Sequence, residues 1–173
     1  MRGVKWGVKT MVKTNEQSHP TTILAGIAAG LAMNLAMLLT FRWIGFGINA
    51  DGILLDPALQ SEKLIAVWTE IEPLPLVVDR PLPIILGIVI FGVVHAYLYR
   101  WISPAWPTGV ARRGLSFALI VFMMTFLFWE FFTPFNMFGE PLGLIALELS
   151  FWVVIALADG LVISAVMERG SSK

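Results

Sequence analysis

Four long apolar segments occupy most of this 173-residue chain: residues 22–46, 82–102, 115–133 and 142–167. A helix needs about 20 apolar residues to cross a hydrocarbon core about 30 Å thick, because each residue rises about 1.5 Å. The segments are near that length, and only 14% of the chain is charged. The sequence therefore predicts an all-α fold, a polytopic transmembrane four-helix bundle that forms one membrane domain over residues 1–173.

The distribution of lysine and arginine predicts the side that each terminus faces, since cytoplasmic flanks keep an excess of positive charge. Three basic residues, Arg42, Lys63 and Arg80, lie on one side of the predicted membrane, together with seven acidic residues. The other nine basic residues flank the opposite side. They are Arg2, Lys5, Lys9, Lys13, Arg100, Arg112, Arg113, Arg169 and Lys173. We therefore expect a multi-pass protein of the inner (plasma) membrane with both termini in the cytoplasm.

The outer loop, residues 47–81, is predicted to contain a short amphipathic helix. Asp56 followed by Pro57 is typical of an N-cap and a first-turn proline. Apolar residues then recur at helical spacing, with charged residues on the other side. The apolar set is Leu64, Val67, Trp68 and Ile71, and the charged set is Glu62, Lys63, Glu70 and Glu72. Such a helix either covers the bundle and the outer leaflet or acts as a substrate lid.

Polar side chains inside the apolar segments are the candidate site, because a charge at the bilayer centre costs about 2.5–3.5 kcal/mol on insertion scales. His95 and Asp159 lie at equal depth, about 10 Å from the cytoplasmic boundary by helical rise, and are expected to pair. Glu148 is eleven residues from Asp159, which places both on one helix face. The candidates are Asn34, Arg42, His95, Glu130, Glu148 and Asp159.

Two interpretations of these residues remain open. In the functional one, Glu130 and Glu148 receive a proton or cation from outside, and Asp159 with His95 passes it inward. In the structural one, the same groups pair for stability. Arg42 then neutralises one outer carboxylate, the other is protonated or hydrogen-bonded by Thr133 and Asn136, and His95 satisfies Asp159.

Small residues predict where the helices pack closely. Gly26 and Gly30 form a GxxxG pair in the first segment, and Asn34 follows one turn later, where it is expected to bond across the bundle. Gly92 and Gly160 lie on matching small faces of the second and fourth segments. The pattern favours packing within one bundle over homodimerisation, which small-residue faces also support.

The sequence predicts no cofactor, metal site, catalytic residue or nucleic-acid partner. Cysteine is absent, which excludes disulfides and thiolate chemistry. Haem would need a second axial histidine beside His95, and His19 lies only at the cytoplasmic end of the first segment. A quinone or lipid could bind the aromatic residues 129–138, but the pattern favours an interfacial aromatic belt, because such belts are common at helix ends.

Two segments, DPALQSEKLIAVWTEIEPLPL (56–76) and WEFFTPFNMFGEPL (129–142), resemble those of an uncharacterised family of small four-span bacterial integral membrane proteins. The resemblance implies membrane location and four-span architecture, and it carries no activity. The leading hypothesis is a non-enzymatic accessory or interaction subunit, which binds a membrane protein partner or forms a homo-oligomer in the lipid bilayer. The alternative is a small proton- or cation-coupled carrier that uses the intramembrane carboxylates.

Overall fold

The computed structural model describes residues 18–170, so Arg2, Lys5, Lys9, Lys13 and Lys173 lie outside the described residues. Within that range the chain is helical without strands, and four helical segments are long and apolar enough to cross a membrane. We number them span 1 (His19–Gly45), span 2 (Pro81–Ala105), span 3 (Val110–Phe138) and span 4 (Leu142–Arg169). The predicted all-α transmembrane four-helix bundle is confirmed, and the chain is a multi-pass membrane protein.

Spans 1 and 3 change from α-helix to π-helix part of the way along. Span 1 is α1 (His19–Met37) followed by the π-helical Leu38–Gly45. Span 3 alternates between the two forms: α5 (Val110–Val121), π-helical Phe122–Phe126, α6 (Leu127–Glu130), π-helical Phe131–Phe135 and α7 (Asn136–Phe138). Single π-helical turns inside α-helices are frequent at functional sites.

The predicted end of span 3, at residue 133 before Pro134, is wrong. Pro134 has no N–H to donate and normally breaks an α-helix. Here it lies inside a π-helical stretch, whose altered hydrogen bonding accommodates the proline, so the helix continues to Phe138. Gly139 then ends the helix with a φ of 69°, a left-handed conformation that glycine adopts easily.

The remaining elements are regular. The α-helix of span 2 is α4 (Pro81–Ile102), extended by a 3-10 turn, and span 4 is the long α8 (Leu142–Gly170). Before span 2 the chain forms a 3-10 turn at Ile53–Leu55, α2 (Glu62–Thr69) and α3 (Leu76–Asp79). We call the end of the bundle that carries α2 and α3 the loop end, and the end that carries Ser18 and residue 170 the termini end.

The amphipathic helix exists, but its predicted start is wrong. Asp56 does not cap it, because its carboxylate accepts from the Ala58 N–H at 2.9 Å and forms a local turn. The cap is Ser61, whose hydroxyl accepts from the Leu64 N–H at 3.3 Å. Trp68 of α2 packs on Phe46, with ring centroids 4.7 Å apart. The helix is thus held against the loop end of the bundle.

The spans pack through glycines, as the sequence predicts. A Cβ on Gly26 or Gly30 would overlap the backbone of span 2 near Gly92, and a Cβ on Gly160 would overlap the backbone of Gly114 in span 3. Asn34 donates to the Gly30 oxygen at 2.8 Å and, across to span 2, to the Ile85 oxygen at 3.3 Å. These contacts place the small faces inside the bundle.

The Gly92 contact gives a stability prediction. We expect Gly92→Ala to lower the free energy of unfolding by about 1–3 kcal/mol, because its Cβ would lie 2.5 Å from the Gly26 oxygen and force the helices apart. The matched control is Gly87→Ala in the same helix, where nothing lies within 4 Å of an added Cβ. Thermal unfolding in mild detergent compares the two variants. Equal losses in both would contradict the packing argument.

Candidate functional site

Two groups of ionisable side chains lie inside the bundle, and α8 contributes to both. At the loop end, Glu148 of α8 meets Glu130 of span 3 and Glu140 of the turn before α8. Nearer the termini end, Asp159 of α8 meets His95 of α4. We call the first group the glutamate cluster and the second the His95–Asp159 pair.

The glutamate cluster brings together three carboxylates that have almost no solvent exposure. One oxygen from each of Glu130, Glu140 and Glu148 lies within 4.8 Å of the other two. Glu130 is 0% exposed, Glu140 is 1% exposed and Glu148 is 9% exposed. The second carboxylate oxygens of Glu130 and Glu140 are buried and have no hydrogen-bond partner.

Glu130 is held by an indole. It lies between the two π-helical stretches of span 3, and its carboxylate accepts a hydrogen bond from Nε1 of Trp152 in α8. The Trp152 ring stacks on Phe126, with centroids 4.4 Å apart and planes 12° apart. The stack fixes the indole and therefore the direction from which Glu130 is bonded.

Glu140 is turned inward by the hairpin between spans 3 and 4. Its N–H donates to the Pro134 oxygen at 3.1 Å, next to the left-handed Gly139. Nε2 of Gln60, from the loop before α2, then donates to its carboxylate at 2.6 Å. The other end of the Gln60 amide accepts from the Ser61 N–H at 2.7 Å. Burial raises the pKa of Glu140, the Gln60 hydrogen bond opposes that shift, and the nearby Glu130 adds to it.

The cluster cannot hold three uncompensated negative charges. At 4.8 Å two carboxylates repel by about 3.5 kcal/mol at an effective dielectric constant of about 20, and the cluster contains three such pairs. In residues 18–170, no arginine or lysine forms an ion pair with any of the three. Bound protons or a bound cation must therefore neutralise the cluster.

The geometry fits a hard cation. Carboxylates without histidine or thiolate ligands suit Mg²⁺, Ca²⁺ and Mn²⁺. An ion at the centre of a triangle with 4.8 Å sides would lie about 2.8 Å from each corner, slightly beyond the 2.3–2.6 Å of Ca²⁺–oxygen bonds. A small inward movement of the side chains would therefore form three bonds of ordinary length.

The predicted role of Arg42 is wrong. Its guanidinium donates to the backbone oxygens of Gly47 and Ile48, which follow the end of span 1, and it satisfies those carbonyls instead of a carboxylate. Asn136 is exposed, and the groups that bond Glu130 and Glu140 are the Trp152 indole and the Gln60 amide. The outer carboxylates thus bind two neutral donors instead of the partners predicted in the structural interpretation.

The His95–Asp159 pair forms as the shared depth predicts. Nδ1 of His95 lies 2.6 Å from Oδ2 of Asp159, and both side chains are buried. The imidazole packs on Phe91, with centroids 3.9 Å apart, and its edge meets Phe117. The other carboxylate oxygen of Asp159 is buried without a partner.

A third polar group lies at the termini end, where the sequence predicts no site. The Tyr99 hydroxyl lies 2.9 Å from the Ser164 hydroxyl and 3.2 Å from a Glu168 carboxylate oxygen, so both are within hydrogen-bond distance of its one proton. Arg113 forms an ion pair with the same Glu168 at 2.7 Å. These contacts tie spans 2, 3 and 4 together, so every charged group in the network has a partner of opposite sign or a hydroxyl.

An apolar layer separates the glutamate cluster from the His95–Asp159 pair. Glu148 and Asp159 are about 16 Å apart along α8 by helical rise. The buried side chains of α8 between them include Phe151 and Ile155, and Phe126 of span 3 packs on Trp152 at the same level. The two groups are therefore distinct sites in this conformation.

Three residues of the site, Glu140, Gln60 and Trp152, are not among the sequence-predicted candidates. The hydropathy pattern places Glu140 in the acidic outer region, although its position between Gly139 and Pro141, ten residues after Glu130, marks a tight turn close to that residue. Gln60 carries no local signal, because it reaches the cluster through the folding of the loop.

Stability should depend on pH through Glu140. The pKa of Glu140 is raised above its ordinary value of 4.5, so between these two pKa values the folded protein binds more protons than the unfolded chain. The free energy of unfolding therefore falls as pH rises from about 4.5, until the pH passes the pKa of the folded state. Glu140→Gln should make this fall shallower, while the exposed control Glu72→Gln should keep the wild-type slope. Thermal unfolding with a chelator, from about pH 5 to about pH 8, tests this; an unchanged slope in Glu140→Gln would contradict it.

Comparison with known proteins gives no assignment. No protein-family model, curated protein or solved structure matches this chain. The function is therefore argued from the chemistry of the buried polar groups.

Proposed function

We propose that this protein is a small cation- or proton-coupled carrier, and that the glutamate cluster is its binding site at the loop end. The supporting observation is that three carboxylates share a space in which their ligand oxygens lie within 4.8 Å of one another. Ionisable groups inside membrane spans are expensive and mark ion or substrate pathways. Because the three carboxylates of the glutamate cluster must be neutralised, the cluster is suited to binding and releasing positive charge.

The orientation follows from the basic residues. Among the described residues, Arg100, Arg112, Arg113 and Arg169 flank the termini end, while the loop end is mostly acidic. By the positive-inside tendency the loop end faces outward from the inner membrane, with both termini in the cytoplasm. The glutamate cluster then collects its cation from the outside.

In the proposed carrier, the His95–Asp159 pair is the second site that accepts positive charge. It lies on the same helix as Glu148, and Asp159 keeps a buried carboxylate oxygen without a partner. Imidazole and carboxylate both exchange protons, so the pair can accept positive charge that leaves the cluster. The apolar layer between the two groups prevents free leakage, and passage therefore requires a change of conformation.

Cation binding is the first test. We expect Mn²⁺ to bind the protein in nanodiscs and Glu148→Gln to lose this binding, because one of three charged ligands is removed. Trp152→Phe should weaken binding by about tenfold, since outer-shell partners of ligands typically contribute 10–100-fold to metal affinity. Electron paramagnetic resonance of free Mn²⁺ measures both, with Glu72→Gln as the exposed control.

Transport is the second test and separates the two groups. In proteoliposomes, Asp159→Asn should abolish flux of Mn²⁺ or of protons while it leaves binding at the glutamate cluster intact. Glu148→Gln should abolish flux and binding together. If Mn²⁺ does not bind but a pH gradient drives proton flux that both variants abolish, the carrier is proton-coupled. Unchanged flux in both variants would falsify the carrier proposal.

The hypothesis of a non-enzymatic accessory or interaction subunit stays a prediction. It rests on the short loops and the small-residue faces, and these faces are used inside the bundle. The glutamate cluster, by contrast, has a chemical requirement that packing alone does not meet. The carrier is therefore the function that the geometry supports best.

A further inference from the structure

We propose that the pocket beside α2 is the entrance to the glutamate cluster and that Gln60 is its gate. This inference rests on the proposed function, because it names the route by which positive charge reaches that site. It is carried by one juxtaposition: Gln60 lines the pocket and also bonds a carboxylate of the cluster.

The pocket lies at the loop end, between α2 and the segment that precedes it. It has a volume of about 390 Å³. The lining residues are Pro57, Gln60, Glu62, Ile65, Ala66 and Glu70. Hydrated cations fit easily into a volume of this size, since a water molecule takes about 30 Å³ in the liquid.

Gln60 lies between the pocket and the cluster. Gln60 is 8% exposed, so neighbouring residues cover almost all of it. Of the described residues that line the pocket, it is the one with a hydrogen bond to a cluster carboxylate, from Nε2 to Glu140 at 2.6 Å. Its amide oxygen is held by the Ser61 N–H at the N-cap of α2, so gate and helix are linked.

The charge of the pocket selects for cations. Glu62 and Glu70 both line it and are exposed to solvent, whereas the lining residues include no basic side chain. A concave surface of one sign raises the local concentration of the opposite ion and its association rate. The pocket therefore favours cations over anions before they reach the buried site.

The gate has a simple chemical cycle. With the cluster closed, the Gln60 amide satisfies one oxygen of Glu140, which would otherwise lack a partner. An arriving cation or proton replaces that hydrogen bond, because it binds the carboxylate more strongly than a neutral donor does. The side chain is then free to move aside, and only a positive charge can take its place.

Cysteine accessibility tests the route directly, because the natural chain has no cysteine. In Glu148→Cys, a thiol replaces one carboxylate while the bond between Gln60 and Glu140 remains. We expect Gln60→Ala to raise the rate at which the cationic methanethiosulfonate reagent MTSET modifies this thiol by about tenfold or more, since one buried hydrogen bond of about 1.4 kcal/mol corresponds to a factor of ten. Ser164→Cys at the termini end is the control and should not respond to Gln60→Ala.

A second pair of variants tests the charge of the entrance and does not disturb the fold. In the Glu148→Cys background, Glu62→Gln with Glu70→Gln should slow modification of the introduced thiol by MTSET relative to the anionic reagent MTSES, and added salt should reduce the difference. If neither Gln60→Ala nor this pair changes the rates, the entrance lies elsewhere and the inference is wrong. That result would leave Mn²⁺ binding and flux of the natural chain intact. Failure of the proposed function would instead show as absent Mn²⁺ binding and flux, while Gln60→Ala and the Glu62/Glu70 pair still change the modification rates.

Discussion

Hydrocarbon offers no hydrogen-bonding partner, so every polar side chain inside the spans must be satisfied by the protein itself. Most of the bundle obeys this constraint. Asn34 bonds backbone oxygens of spans 1 and 2, Thr40 bonds the Ala36 oxygen at 2.8 Å, and His95 bonds Asp159. The glutamate cluster is the main exception, because two of its buried carboxylate oxygens have no hydrogen-bond donor, whereas Asp159 has one such oxygen.

The helix arrangement decides where that exception occurs. α8 packs against α1 and α5, and α1 packs against α4 and α8, so spans 1 and 4 form the centre of the bundle and are more buried than spans 2 and 3. Glycine contacts bring these backbones close together and leave little room between them away from the loop end. At the loop end the helices of spans 1 and 3 become π-helical, and the three carboxylates lie beside this less regular region.

The sequence was sufficient for features that depend on hydropathy and depth. The number of spans and their approximate positions follow from apolar length, and the His95–Asp159 contact follows from helical rise measured from two boundaries. Features that depend on chain reversals were not predictable in this way. Glu140 faces inward because Gly139 adopts a left-handed conformation, and Gln60 arrives from a loop whose path no periodicity describes.

Arg42 shows a further limit of arguments from depth. It lies at the level of the outer carboxylates, but backbone carbonyls at the end of span 1 compete for the same guanidinium. These carbonyls belong to the turn after the helix, outside its regular hydrogen bonds, and the Arg42 guanidinium is close enough in the chain to bind them. Equal depth in the membrane therefore shows which side chains can come into contact. Competing hydrogen bonds to the local backbone decide which of these contacts form.

The π-helical stretch Phe122–Phe126 sets the phase of span 3. Its buried positions step from Val121 to Phe126, five residues, and then by four to Glu130 and to Pro134. On a regular α-helix, which turns about 100° per residue, Glu130 lies nine residues after Val121 and would point about 180° away from it. The extra residue thus turns Glu130 toward α8. If this one-residue π-helical insertion moved along span 3 to the other side of Glu130, the Glu130 carboxylate would rotate by about 100° out of the cluster, and the rest of the helix would not have to slide.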